Sequence, residues 1–592
     1  MSSPLPRSLR LPSKANSQIE GDDAATLPAR RKRYDLLSPS ILMCLVALFF
    51  SGAAQAGPLP PAPSAMPQEE TLRLGERIYR DGQLPSGRPL QGVVKGDIAV
   101  DGRMFSCASC HRRSGLGSVE GGVVTHPNAG SKLFQPSHYG RELTTAERSS
   151  LSKHYQSPPR RPAYTEETLA QAIRNGVDPT GRVLNSLMPR FTLSDPEMAI
   201  LIAYLKSLSA ELSSGVTETT IRFATVVTPD VPAKDGAAML GTLDAFVADW
   251  NSRAPVHAAR ARYPEIAQEA DLSYRAISLA RWQLDGPKET WRRQLEEHYH
   301  KEPVFALLGG IGAGEWGPVH EFSEERRVPC IFPITDFPVL SDSDWYTLYF
   351  SKGLHQEGEA AAESLGKAPE IAPEDAVLQI YRGDNEGRAL AAGFGAAWRS
   401  LGRKPPSDLV LSPGRPIPPD LHRQLAGEKR PQVVLLWLGE EALPVLDKLA
   451  DSDSPPKAVY LSASLLRQTL WMFPEQVREI AGITYPYRLP QDEAMHAAYA
   501  GVWLRGRGLP VDDRRITTRM YSLMLLMNEA IPKMRRNFYR DHFLEVIDLS
   551  KEHAYPDFER LSFGAGRRYA STSCYVVTLS RGPNPILIRK GD

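Results

Sequence analysis

The chain has 592 residues, of which 42% are hydrophobic and 23% are charged. This balance is typical of a globular protein and excludes a low-complexity or fibrous chain, and the length predicts about three or four compact units. The formal net charge of +1 argues against a nucleic-acid partner, because such a partner normally requires a basic excess.

The N-terminal segment has the pattern of an export signal. Basic residues at 30–33 precede an apolar run at 41–50, and the small-residue sequence Ala-Gln-Ala follows at 54–56. This order is typical of a cleavable secretory signal peptide. The apolar run is about half of the roughly 20 residues that a membrane-spanning helix needs. We therefore predict that residues 1–56 are a leader and signal peptide, and that the product is periplasmic without a stable membrane span.

A proline-rich linker, residues 57–70, leads to the most informative motif. Cys107, Cys110 and His111 form a Cys-x-x-Cys-His sequence, which is the covalent attachment signature of a c-type haem. Each thiol can add to one haem vinyl group, and the adjacent imidazole then ligates the iron. A redox-active dithiol, half of a zinc site and chance are the alternatives, but the βαβ pattern or second Cys/His pair that the first two need is not evident. The motif predicts one covalent haem c.

The second axial ligand must come from elsewhere in the chain. Met188 is the preferred candidate, because it lies next to a proline just before a predicted helix that begins with Ser194 and Glu197 as a capping box. A thioether on such a loop can point at the iron while the helix fixes its position. An open position is one alternative. The competing side chains are Met104, Met198, His126, His138 and His154.

Together the motifs resemble a class I monohaem cytochrome c, over residues 71–212. The sequence CASCH is followed much later by LMPRFTLSDPEMAILIAYLKSL. The resemblance implies an all-α domain in which Cys107 and Cys110 carry the haem and His111 and Met188 ligate the iron. Two filled axial positions favour electron transfer, since a substrate would have to displace a ligand. The chain departs from the family in a long insertion before Met188.

After a short linker, residues 213–217, the sequence pattern changes. Through residues 218–592, short apolar runs such as 221–227, 304–308 and 433–438 alternate with amphipathic helices. This alternation predicts parallel sheets with helices on both faces. The length of this unit favours two lobes over one.

The order of these elements resembles a type I periplasmic binding protein of the branched-chain amino acid receptor class. The resemblance includes a Gly-rich turn at 307–314, the segment 328–335 and a closing Leu-Ser-Phe-Gly at 561–564. It implies two Rossmann-like lobes that close on a small ligand. It assigns one ligand loop to Ala313 and Gly314 and the next to Thr335 and Asp336. Nucleotide binding is not favoured, because the turn lacks the spacing of a phosphate-binding loop.

The match to the ligand site of that family is incomplete. Ala313 stands where the family usually has a serine, and Ser462 or Ala463 replaces an acidic residue that holds an ammonium group. A zwitterionic amino acid is therefore not favoured as the ligand. Three residues are open between a cleft role and a structural role, namely Trp316, Asp336 and Tyr381.

The leading hypothesis is a periplasmic electron-transfer cytochrome fused to a solute-binding module that couples or docks it to a redox partner, either a dehydrogenase or a terminal oxidase. One alternative is a solute receptor for uptake or sensing with an accessory haem. Another is a haem subunit of a periplasmic dehydrogenase complex. No enzyme activity of its own is predicted. Cys330 and Cys574 are expected either as a disulfide or as two separate thiols.

Overall fold

The computed structural model describes most of the chain after the predicted signal peptide. The described residues are 66–120, 123–137, 161–263, 267–425, 430–452, 454–473, 475–478, 480–510, 515–550, 555–564 and 566–590. The predicted leader, His138 and His154 lie outside them.

The described residues between 66 and 209 form a helical unit with short antiparallel strands. Its helices are α1 (Gln68–Asp81), α2 (Cys107–His111), α3 (Gly130–Leu133), α4 (Glu166–Asn175) and α5 (Asp195–Ser207). Its strands are β1 (Gln91–Val94), β2 (Ile98–Asp101), β3 (Ser118–Glu120), β4 (Val123–Thr125) and β5 (Arg190–Thr192). The predicted helical character is confirmed, and the short strands are an addition that the sequence did not indicate.

Helices α1 and α5 pack closely against each other. A Cβ on Gly75 would lie 2.5 Å from the Cβ of Tyr204 and 2.7 Å from the carbonyl oxygen of Ile200, so this approach requires glycine. The predicted capping box at the start of α5 is confirmed, because the backbone N–H of Ser194 donates to Glu197 at 2.9 Å and its hydroxyl donates at 2.7 Å. The close approach at Gly75 joins α1 to α5, and the capping box fixes the start of α5.

The remaining chain forms a larger α/β unit. Its helices are α6 (Ala233–Asn251), α7 (Ala254–Ala261), α8 (Glu269–Ser273), α9 (Trp291–Lys301), α10 (Gly317–Arg326), α11 (Leu354–Lys367), α12 (Asn385–Ser400), α13 (Leu421–Gln424), α14 (Leu443–Ala450), α15 (Ala463–Leu466), α16 (Pro490–Arg505), α17 (Ile516–Met534) and α18 (Arg540–Asp548). Its strands are β6 (Thr220–Val227), β7 (Ala276–Gln283), β8 (Ala306–Leu308), β9 (Cys330–Ile331), β10 (Thr347–Leu348), β11 (Val377–Arg382), β12 (Ser407–Leu411), β13 (Val433–Trp437), β14 (Ala458–Ser462), β15 (Ala481–Tyr485), β16 (Tyr575–Leu579) and β17 (Leu587–Arg589).

The described strands of this unit form two sheets, one in each lobe. Among the described residues, the first sheet has the order β10-β9-β8-β6-β7 and is parallel. The second has the order β12-β11-β13-β14-β15-β16-β17, with β16 and β17 antiparallel to their neighbours. Neighbouring residues such as Phe223 and Ala224 belong to different buried clusters, because successive side chains point to opposite faces. The predicted two-lobed α/β fold with helices on both faces is confirmed.

Cys330 and Cys574 are separate thiols in the structure. Cys330 begins β9 in the first lobe, whereas Cys574 immediately precedes β16 in the second. Burial raises the pKa of the Cys330 thiol to about 12, so it is protonated and unreactive at neutral pH.

Among the described helices, none combines the length and the apolar character needed to cross a membrane.

Candidate functional site

The predicted haem-attachment motif lies on the short helix α2. Cys107 and Cys110 are free thiols three positions apart on this helix, so slightly less than one turn separates them. Cys107 is partly buried and Cys110 is exposed. The helix thus presents one thiol toward the domain interior and the other toward solvent.

The imidazole of His111 is oriented by the backbone of a neighbouring loop. Its Nδ1 lies 2.7 Å from the carbonyl oxygen of His126. A carbonyl can only accept, so Nδ1 carries the proton and Nε2 keeps the lone pair that an iron ligand needs. Burial lowers the pKa of His111 to about 4, which keeps the ring neutral at pH 7.

A glycine allows the loop that carries His126 to approach His111. The backbone N–H of Gly117 donates to the carbonyl oxygen of His111 at 3.0 Å. The φ of Gly117 is +77°, and a Cβ there would lie 2.1 Å from the carbonyl oxygen of Thr125. Any other residue would therefore push strand β4 and the His126 carbonyl away from the imidazole.

Exposed apolar side chains adjoin the predicted ligands in sequence. They are Met104 (78% exposed), Phe105 (38%), Val183 (73%) and Leu187 (46%). Phe105 lies two residues before Cys107, and Leu187 directly precedes Met188. A porphyrin joined to α2 would cover apolar surface of this kind. The free thiols, the oriented imidazole and this surface together fit a covalent haem.

Met188 lies on a loop that is held from two sides. The guanidinium of Arg190 donates to the carbonyl oxygen of Met188 at 2.6 Å and to that of Leu184 at 3.0 Å. The backbone N–H of Lys95, next to β1, donates to the carbonyl oxygen of Ser186 at 2.8 Å. The Met188 side chain is partly buried. A firmly held loop is the setting predicted for a thioether ligand, and the ligand role itself stays a prediction.

The described competitors for the axial position have other surroundings. Met198 is 3% exposed in the apolar core of the helical unit. Met104 is largely exposed. The backbone of His126 already orients the imidazole of His111.

A cavity lies at the carboxyl ends of the strands of both lobes. Its lining includes Thr335, Asp336, Phe350, Glu357, Tyr487 and Arg519. Parallel α/β sheets bind ligands in this position. Thr335 and Asp336 line this cavity, and their role as ligand contacts stays a prediction.

The other two predicted ligand residues lie beside the cavity. Within the part of the chain that the structure describes, Ala313 and Gly314 are not among the lining residues. The carbonyl oxygen of Gly314 accepts a long hydrogen bond of 3.5 Å from the hydroxyl of Thr335. Their loop thus supports Thr335.

Of the two aromatic residues left open between a cleft role and a structural role, Trp316 is fully buried and Tyr381 is 9% exposed in the second-lobe core. This burial favours structural roles for both.

Glu357, on α11, is a lining residue that the sequence analysis missed. Its carboxylate accepts hydrogen bonds from the hydroxyls of Ser462 and Thr484, both at 2.8 Å. Ser462, the last residue of β14, is expected to replace an acidic residue, and in the structure it donates to the acidic residue Glu357 of helix α11. Burial raises the pKa of Glu357 to about 7, despite these hydrogen bonds. With Asp336 and Arg519, the cavity presents groups of both charge signs.

The raised pKa of Glu357 predicts a pH-dependent stability. Folding raises this pKa from 4.5 to about 7, so the folded state holds the proton more tightly than the unfolded state. The stabilisation is present below about pH 4.5 and is lost as the pH rises through 7. Relative to Glu357→Gln, we expect the wild-type free energy of unfolding to fall by about 2.5 kcal/mol between pH 5 and pH 8. Urea unfolding at several pH values measures this difference.

The Glu357→Gln variant is the control for this measurement. The charge of Asp336 acts on Glu357, and the charge of Glu357 acts on Tyr487 and Cys574. These groups are common to both proteins, so their contributions largely cancel. Parallel pH profiles for wild type and variant would contradict the raised pKa.

Comparison with known proteins identifies the helical unit. The family model for cytochrome c matches residues 102–209. The chain contains a cytochrome c domain. Members of this family carry haem c through covalent bonds. The resemblance predicted from the sequence is therefore confirmed for this domain. A search of curated proteins gives no match.

The two-lobed unit is similar to solved solute-binding proteins. One is a possible leucine/isoleucine/valine-binding protein from Rhodopirellula baltica SH 1, with 13% identity, a TM-score of 0.45 and coverage of 64% of this chain and 98% of that chain. Another is an R. palustris ABC transporter solute-binding protein in complex with benzoate, with 13% identity, a TM-score of 0.43 and coverage of 62% and 96%. A third is a type 1 periplasmic binding protein from Bordetella pertussis Tohama I, with 13% identity, a TM-score of 0.42 and coverage of 63% and 100%. The likeness is one of fold.

The cytochrome c domain packs against helix α18 of the first lobe. The N–H and hydroxyl of Ser114 donate to the two carboxylate oxygens of Glu545 at 2.8 and 2.6 Å. Arg80 forms an ion pair of 2.5 Å with Asp541, and the hydroxyl of Tyr346 donates to the same carboxylate at 3.0 Å. Ser114 is fully buried and Glu545 is 6% exposed. These paired charges are shielded from solvent and define one orientation of the domain.

Proposed function

We propose that the protein is a periplasmic electron carrier with a solute-binding site. In the cytochrome c domain, Cys107 and Cys110 would hold one haem c, and His111 and Met188 would ligate its iron. The bound haem supplies a one-electron iron couple. The hydrogen bond from Nδ1 of His111 to the His126 carbonyl carries this proposal, because it leaves Nε2 for the iron directly beside two free thiols. A dehydrogenase or a terminal oxidase is the external redox partner.

The haem proposal is tested on full-length protein from cells that mature c-type cytochromes. We expect a reduced-minus-oxidised spectrum of a c-type haem, a one-electron redox titration and retention of the porphyrin after acid-acetone extraction. Extractable porphyrin or a colourless product would refute the proposal.

The cavity is the proposed site of a small solute, with Thr335 and Asp336 as contacts and the Ala313–Gly314 loop as their support. Its position at the strand ends of both lobes supports this role, because closure of the lobes would enclose a ligand there. The ionisable side chains Asp336, Glu357 and Arg519 would orient polar groups of the solute. Phe350 and Tyr487 supply aromatic surface.

A thermal-shift screen of the full-length haem protein tests the solute site. The probes are small carboxylates, alcohols and aromatic acids at saturating concentration, and we expect one class to raise the melting temperature. Asp336→Asn and Thr335→Val should each weaken the binding of that solute at least tenfold, or by about 1.4 kcal/mol. Asp244→Asn, an exposed exchange of the same type on α6, should bind like wild type. Equal binding by all variants would remove the cavity as the site.

A further inference from the structure

One short segment joins the cytochrome c domain to the cavity. The segment is residues 345–351. Its first residue, Trp345, contacts the cytochrome c domain, since the Trp345 ring lies 4.4 Å from the guanidinium carbon of Arg113. At the other end, Tyr349, Phe350 and Ser351 line the cavity. Between them lies β10, the edge strand of the first-lobe sheet. A fully extended chain rises about 3.3 Å per residue, so the two ends of the segment lie at most about 20 Å apart.

Trp345 also contacts a second guanidinium, that of Arg568. The guanidinium carbon of Arg568 lies 4.4 Å from the Trp345 ring, and the guanidinium donates to the Trp345 carbonyl oxygen at 3.2 Å. Arg568 pairs with both carboxylate oxygens of Asp548, on α18, at 2.9 Å, and its carbonyl oxygen accepts from the N–H of Tyr349 at 2.8 Å. Arg568 thus links the domain interface to a residue of the cavity wall.

The cavity end of the segment is packed against Phe558, Tyr569 and Ala570. The Tyr349 ring stacks on Tyr569 at 5.9 Å, and the carbonyl oxygen of Tyr349 accepts from the N–H of Ala570 at 3.0 Å. The ring of Phe350 stacks on Phe558 at 5.3 Å, and both side chains line the cavity. A solute that displaces Phe350 therefore moves a backbone that also carries Trp345, since a packed interior transmits displacement.

At the Trp345 end of the segment, the neighbouring positive charge is that of Arg113, which is close in sequence to the haem-attachment motif. Arg113 comes two residues after His111, and its Nε lies 3.7 Å from a carboxylate oxygen of Asp541. Ser114, the next residue, is anchored to Glu545. The Arg113 guanidinium is therefore confined between Trp345 and Asp541. In a partly buried site, a charge held in this way interacts with other charges over several ångströms.

We propose that residues 345–351, through the contact of Trp345 with Arg113, couple the redox state of the cytochrome c domain to the packing of the cavity wall. The inference rests on the proposed function of both sites. The Arg113 guanidinium would respond to a change of charge at a bound haem, and it would pass that response to Trp345, whose ring it contacts. Conversely, a solute that shifts Phe350 changes the reduction potential. The two effects are reciprocal by thermodynamic linkage.

The test needs no identified solute, because the redox state is the probe. Amide hydrogen exchange is measured on the full-length haem protein, oxidised with ferricyanide or reduced with dithionite. In wild type, we expect the exchange rates of peptides covering 346–354 and 566–571 to differ severalfold between the two states. Trp345→Leu and Arg113→Gln should abolish this difference. Arg113→Gln should also lower the reduction potential, since loss of a positive charge favours ferric iron, and a purely structural role would not predict this.

The matched control is Arg507→Gln. The guanidinium carbon of Arg507 lies 4.3 Å from the ring of Trp503. The variant therefore removes the same type of contact at a place away from the segment, and the redox-dependent difference in exchange should persist. Equal exchange in both redox states of wild type would overturn the coupling while leaving haem and solute binding intact. A difference that survives in both segment variants would overturn the role of Trp345. Loss of the covalent haem spectrum in wild type would instead refute the proposed function.

Discussion

The double variant Cys107→Ser/Cys110→Ser will be exported without covalently bound haem. Serine hydroxyls do not add to the vinyl groups, so both thioether bonds are lost while the shape of helix α2 is preserved. Haem staining after denaturing electrophoresis should fall from a strong band to background. The reduced-minus-oxidised spectrum of the purified full-length variant should lose the c-type signal.

The single variant Cys574→Ser is the control for this experiment. Cys574 is a free thiol next to β16 in the second lobe, so its replacement should leave haem staining unchanged. Covalent haem in the double variant, or its loss in the Cys574 variant, would show that the attachment site has been assigned wrongly.

Replacing Met188 by alanine will lower the reduction potential of the haem. Methionine ligation raises the potential relative to other axial ligands, and axial ligands as a group cover a range of roughly 0.8 V. We expect a decrease on the order of 0.1 V or more, together with loss of the weak thioether–iron absorption band of the ferric state. Potentiometric titration and absorption spectroscopy of the full-length protein measure both effects.

Two other methionines provide matched controls. Met198→Leu changes a core residue that is 3% exposed, and Met104→Leu changes one that is 78% exposed. Both should keep the potential and the band within experimental error, although the first should reduce stability by up to about 1.5 kcal/mol. If Met104→Leu abolished the band and Met188→Ala did not, the axial ligand would be Met104.

The interface makes the attachment of the cytochrome c domain to the first lobe specific. The carboxylate of Asp541 pairs with Arg80 and Arg113 and accepts from the hydroxyl of Tyr346. The carboxylate of Glu545 accepts both hydrogen bonds of Ser114. Separation of the domain from the lobe would strip these buried carboxylates of several partners at once, which costs several kcal/mol. The haem-bearing domain is therefore expected to keep its orientation on the lobe during electron transfer.

The elements that the sequence predicts are those that depend on local order. The Cys-x-x-Cys-His motif is recognisable because thioether attachment requires nearby thiols with an adjacent imidazole. The capping box at Ser194 and Glu197 is a contact across three positions. Strands β6 and β13 follow from short apolar runs, because strands buried on both faces need no polar alternation. By contrast, the apolar residues of the edge strand β7, at 277, 279 and 282, break the period of two, and this strand was missed.

Sequence alone predicted the haem-attachment chemistry and the export signal, and it determined the alternation of strands with helices, because each depends on residues close together in the chain. Only the tertiary structure decided which distant side chains meet. Ser114 and Glu545 are 431 positions apart, and Glu357 meets Ser462 and Thr484 across 105 and 127 positions. A glutamate in a charged helix looks solvated in sequence, and only the burial that folding imposes raises its pKa and makes it part of the cavity.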